Sequence, residues 1–203
     1  MEGNAPNFRE IAKKIDHKHE NSKIRAKARI IPVLLGPYDD VSLSEMEKIK
    51  ELLKSEGYVN ASLIKDLPTE NSFTGEYDSK YIHGISVFLD ESFFIVPLFY
   101  FASKERKEQR IGHHGELFDL ITVYPHLLPQ TAYFHYHDSE MLNHVRNIPN
   151  SHLIKSFEEH QKVCLEFVNR FLPMNERKII QIRGKENFYN PTYSLGTRGG
   201  LHE

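Results

Sequence analysis

Glu116 is the residue of this chain best suited by type and place to do chemistry. It ends the stretch Gly112-His113-His114-Gly115-Glu116. It also opens a helical pattern in which Leu117, Leu120, Ile121 and Tyr124 recur at i, i+3, i+4 and i+7. A helix N-terminus carries partial positive charge and unpaired N–H groups, which hold a carboxylate ionised. Such a carboxylate can attack an anomeric carbon or steady an oxocarbenium-like transition state. It can equally be an ordinary first-turn glutamate that complements the helix dipole, so its weight depends on its surroundings.

Two other constellations compete with it. His135-Tyr136-His137-Asp138 puts two imidazoles on one face of a strand, because side chains alternate. With Asp138 or Glu116, and with His113 or His114 at the next strand end, they are a candidate shell for zinc or another divalent cation. The same histidines can serve as acid–base groups or as plain packing, and His-x-His has no third ligand at a fixed spacing. Leu35-Gly36-Pro37-Tyr38-Asp39-Asp40 forms a tight exit from a strand. Tyr38 there can stack on a base or bond a sugar hydroxyl, or simply tip a polar turn. The segment from Lys104 to Arg110 is strongly basic, either a phosphate grip that includes Arg110 or a solvated loop. Neither the dinucleotide signature nor the P-loop signature is present.

The elements that must position these residues alternate between strand and helix. Ile30 to Leu35 is a short apolar run with Pro32 near its start, as a first buried strand would be. A helix is expected over 44–55, with Met46, Ile49, Leu52 and Leu53 on one face, a Ser42/Glu45 capping box and Gly57 as its stop. Further strands are expected over 58–64, from Phe93, over 130–137, and at Leu153-Ile154. The run from Phe93 to Phe101 is the most apolar and hence central, with pairing expected to stop near Val96 because of Pro97. Helices are expected over 80–89, from Glu116, and over 158–172, the last with a Ser156/Glu159 capping box and Val163, Cys164, Phe167, Val168 and Phe171 on its core face. Residues 178–182 read as an edge strand. The fold class is α/β: a flavodoxin-like three-layer α/β/α domain on a mostly parallel five-stranded sheet. The domain spans 29–183, behind a basic arm or helix at 1–28 and ahead of a flexible tail at 184–203.

Composition narrows the partners. The 203 residues are 39% hydrophobic and 27% charged with a net charge of -2, which gives no general case for nucleic-acid binding. The lone Cys164 excludes an internal disulfide and fits a reducing cytosol. The first residues lack a basic region followed by an apolar one, and no apolar run approaches the roughly 20 residues of a membrane span. A cytoplasmic protein without membrane contact is expected.

Gly36-Pro37-Tyr38 after the first strand, with Gly112 and Glu116 after the third, resembles the nucleoside 2-deoxyribosyltransferase-like superfamily, which is related in fold to TIR-like domains. The resemblance spans roughly residues 29 to 172 in layout. It implies Glu116 as nucleophile at the sugar C1′, with Gly36, Pro37 and Tyr38 lining the base and sugar pocket. His113 or His114 would give a proton or touch the substrate. Asp39, Asp90, Gly112 and Arg110 are the remaining substrate-side candidates, with Asp78 a second stand-in beside Asp90 for the family's orienting acid. Bulky His113, His114, Leu117 and Phe118 replace the small residues usual around that glutamate. The activity implied is hydrolysis or base exchange at the N-glycosidic bond of a nucleoside or nucleotide, without a cofactor, in a homo-oligomer whose subunits complete each other's pockets. The alternatives are a non-catalytic TIR-like nucleotide-sensing or protein-interaction domain, and a metal-dependent hydrolase built on His135, His137 and Asp138.

Overall fold

The computed structural model describes residues 8–37, 39–66, 93–100, 125–136 and 149–189. Its centre is a five-stranded, all-parallel sheet in the order β2-β1-β3-β4-β5. The strands are β1 (Ile30–Leu35), β2 (Ser62–Leu63), β3 (Phe94–Tyr100), β4 (Ala132–His135) and β5 (Ser151–Leu153). Helices α1 (Phe8–Lys18) and α2 (Ser22–Arg29) precede the sheet. Helix α3 (Asp40–Ser55) follows β1, while α4 (Phe157–Asn169) and α5 (Leu172–Tyr189) close the chain. This strand order is that of flavodoxin-like doubly wound sheets, as expected.

Both faces of the sheet are buried, which explains why β1 reads as continuous apolar sequence rather than alternating. On one face Leu34, Leu98 and Phe134 pack with Met46, Ile49 and Leu53 of α3 and with Cys164, Phe167 and Val168 of α4. On the other, Ile31, Val33, Leu35, Ile95, Phe99 and Tyr133 are equally buried. Phe99 and Tyr133 stack there with centroids 5.4 Å apart. The result is a three-layer α/β arrangement.

Several boundaries differ from expectation for identifiable reasons. Pairing does not stop near Val96. Pro97 lies opposite Val33, and the ladder continues to Leu35–Phe99 and, on the other side, Tyr100–Phe134. A proline removes one donor but leaves its own carbonyl and its neighbours' groups to pair. Helix α3 starts at Asp40 rather than 44, because Asp39 is the cap: its extended backbone lets Oδ1 accept from the Ser42 N–H at 3.0 Å. Ser42 sits inside the helix, buried. Helix α4 starts at Phe157, one residue before the expected 158, with Ser156 Oγ accepting from Glu159 N–H at 3.1 Å, and ends at Asn169 rather than 172. Strand β2 has two residues where seven were expected.

The edge strand expected at 178–182 is helical and belongs to α5. Pro173 is harmless in a first helical turn, and a short run such as Ile179-Ile180-Gln181-Ile182 fits either period. Ile179 is buried with Ala26 of α2, whereas Ile180 is exposed. Helix α5 reaches Tyr189, into the segment expected to be tail. The basic N-terminal segment forms α1 and α2. Arg25 and Arg29 both bridge to Asp16, tying the two helices together, and Ser22 donates to Glu176 of α5 at 2.6 Å. The expected loop at 69–78, the helix at 80–89 and the Glu116 helix lie outside the described residues.

Candidate functional site

In a doubly wound sheet, ligands bind beyond the carboxyl ends of the strands, where the strand order reverses. Here β1 has β2 on one side and β3 on the other, so that point lies between β1 and β3. Three expected site residues are found at the end of β1. Gly36 and Pro37 are buried and Asp39 is half-buried at the α3 cap. A Cβ at Gly36 would stand 2.6 Å from Met46 Sδ and 3.0 Å from the Tyr100 carbonyl oxygen. Glycine is therefore required by the chain's own packing, with the end of β3 pressed against the end of β1.

Tyr100 is the last residue of β3, and around it lies a polar and aromatic cluster. Its hydroxyl donates to Glu45 Oε2 on α3. Burial first, and then this bond to a carboxylate, push the Tyr100 phenol well above its usual range. The His160 ring, from the first turn of α4, stacks on Tyr100 at 5.2 Å and 7°. It also packs on Phe134 at 4.6 Å and meets Tyr136 edge-on at 6.1 Å. Tyr136 meets Tyr100 edge-on at the same distance. His160 is 1% exposed, and burial, then the neighbouring His152, lower its pKa to about 3. It is a neutral imidazole at physiological pH. Its Nδ1 and the Tyr136 hydroxyl are buried without a hydrogen-bond partner.

His135 ends β4, buried, with Nε2 at 3.2 Å from Ser151 Oγ on β5. The other members of the metal hypothesis, His137 and Asp138, lie outside the described residues. Among the described residues no three His, Cys, Asp or Glu side chains are grouped to hold a metal. Tyr38, Asp78, Asp90, Arg110, Gly112, His113, His114 and Glu116 also lie outside them.

Sequence reasoning missed Glu45, Tyr100, Tyr136 and His160 as a group. By spacing alone Glu45 fits half of a capping box with Ser42, and Tyr136 fits the spacer between two histidines. One signal was available for His160. It precedes Cys164, Phe167 and Val168 by four, seven and eight residues, so it shares their inward face. A histidine on a core stripe at a helix start, beside the strand ends, is worth singling out.

Among the described residues no helix is long and apolar enough to cross a membrane. No family model, curated protein or solved structure matches the chain.

Proposed function

We propose that the chain is an enzyme that breaks the N-glycosidic bond of a nucleoside or nucleotide, with Glu116 as nucleophile. The observation that carries this reading is the reversal of strand order between β1 and β3. It brings Gly36, at the exit of β1 toward Pro37 and Asp39, against Tyr100, the residue from which the chain continues toward Glu116. In this reading the Glu116 carboxylate attacks C1′. The bond from C1′ to the base nitrogen breaks, and the base leaves with the electron pair and takes a proton from His113 or His114. Water, or the nitrogen of a second base, then attacks C1′ and frees the carboxylate. Tyr38 packs against the base or sugar. The protein acts in the cytoplasm as a homo-oligomer, a setting that suits a buried free thiol at Cys164.

The test is incubation with a panel of nucleosides, nucleoside monophosphates and NAD, followed by chromatography for released or exchanged base. At least one member is expected to yield free base, and Glu116→Gln is expected to abolish release while preserving binding. If no member yields base, the reading falls. If Glu116→Gln releases base at the original rate, the nucleophile is another residue.

A further inference from the structure

We infer that the rim between α3 and α4 selects an uncharged sugar over a phosphorylated one, so that the substrate is a nucleoside; this rests on the N-glycosidic reading above. In α/β sheets of this kind a phosphate is normally held by the free N–H groups and positive end of a helix N-terminus. Both helices flanking the Tyr100 cluster give one first-turn N–H to their own caps and line the rest of that turn with carboxylates. At α3, Asp39 Oδ1 takes the Ser42 N–H at 3.0 Å and Asp40 follows in the first turn. At α4, Ser156 Oγ takes the Glu159 N–H at 3.1 Å, and Glu158 and Glu159 stand in the first turn. The Glu159 Oε2 in turn accepts from the Lys155 N–H at 2.7 Å. A backbone N–H, and then the Ser156 hydroxyl, hold the Glu158 carboxyl below its usual range, so it is charged at neutral pH.

Glu45 adds a fifth carboxylate between the two helices, bonded to Tyr100. Lys48, 5.7 Å from the centroid of the Phe157 ring, offsets part of this charge. Among the described residues, the groups beneath are neutral hydrogen-bonding groups. The His160 imidazole is uncharged, and its Nδ1 and the Tyr136 hydroxyl are buried, so neither offers a positive charge to the rim. Tyr136 lies within the field of Glu45, Glu158 and Glu159, which, after burial, raise its pKa. That field repels a phosphate dianion approaching within a Debye length.

The experiment measures equilibrium binding of one nucleoside and its 5′-monophosphate to the full chain carrying Glu116→Gln, which prevents turnover. It is repeated with Asp40→Asn and Glu158→Gln added, two exposed carboxylates whose loss leaves both caps intact. The nucleoside is expected to bind about tenfold more tightly than its monophosphate, and the double change to narrow that gap about threefold while leaving nucleoside affinity unchanged. A separate titration of the wild-type protein with inorganic phosphate follows all the first-turn amides of α3 and α4 by NMR, and no saturable shift is expected. A monophosphate that binds as well as the nucleoside, or a saturable phosphate shift at those amides, overturns the inference. Preference for the monophosphate would assign the phosphate to the basic segment 104–110. Absence of base release from any substrate would instead overturn the N-glycosidic reading, while the phosphate titration still decides the character of the rim.

Discussion

His160 makes the stability of this fold depend on pH below 6.5, and from 6.5 to about 5 it does so above the range in which most carboxylates titrate. Its imidazole is 1% exposed, stacked on Tyr100 and packed on Phe134, and burial is the main cause of a folded-state pKa of about 3 against an ordinary 6.5. The sign follows directly. Above pH 6.5 the side chain is neutral in both the folded and unfolded states and contributes nothing to the pH dependence. Below it the unfolded chain binds a proton that the folded protein refuses, so stability falls as pH falls. Each pH unit in the middle of that interval withdraws roughly 1.4 kcal/mol, giving about 2 kcal/mol by pH 5 and about 4 kcal/mol by pH 3. His152, its pKa lowered by burial, then by Arg170 and His135, acts in the same direction. Urea unfolding of the wild type and of His160→Phe at pH 7.5 and pH 5 isolates the effect. Phenylalanine keeps the ring contacts and cannot titrate, and any overpacking it introduces is common to both pH values. The wild type should lose about 2 kcal/mol more than the variant between the two pH values. Equal losses would show that His160 is protonated as readily when folded as when unfolded, and the account of its burial would fail.

Two further substitutions test how the rim is assembled. Gly36→Ala should destabilise the fold by about 1–3 kcal/mol in thermal or urea unfolding, since Met46 can shift its thioether but the Tyr100 carbonyl belongs to the sheet backbone; a neutral alanine would mean that the β1 exit is not held against β3. Asp39→Ala should cost about 1 kcal/mol, whereas Asp39→Asn, which can still accept from the Ser42 N–H, should stay within a few tenths. Identical losses in the two Asp39 variants would remove the cap from the explanation.

Where a sequence pattern answers to a single physical cause, it was legible. The β1 run is apolar throughout because parallel strands are covered on both faces, and Ser156 with Glu159 marked the start of α4 to within one residue. Patterns with two causes were not. Ser42 and Glu45 fit a capping box as well as Asp39 fits a simple cap, and only the backbone conformation at Asp39 decides between them. Ile179-Ile180-Gln181-Ile182 fits a strand or a helix, and packing of Ile179 with Ala26 came from a helix more than 150 residues away in sequence. Pro97 was given too much weight, because a missing donor in one strand does not remove the pairs around it. The site was less legible than the fold for the same reason: Glu45, Tyr100, Tyr136 and His160 come from four separate elements, and nothing in their local spacing announces that they meet.

The rim also shows why folding and ligand choice are difficult to separate in a doubly wound sheet. A helix N-terminus at the carboxyl edge offers free N–H groups, and these can be satisfied by a ligand or by the chain itself. Asp39 satisfies one at α3, and a neutral acceptor such as asparagine or serine would cap the helix comparably well. The charge on Asp39 is thus more than the cap requires, and it is repeated at Asp40, Glu158 and Glu159 in the first turns of α3 and α4. Acidic first turns stabilise both helices through their dipoles. On the inference drawn above, the same charges also disfavour an anion at the rim between α3 and α4, so stabilising these helices would narrow the choice of ligand. Neutralising Asp40 and Glu158 separates the two effects: both helices keep their caps and lose only a first-turn charge, while discrimination against phosphate is expected to weaken.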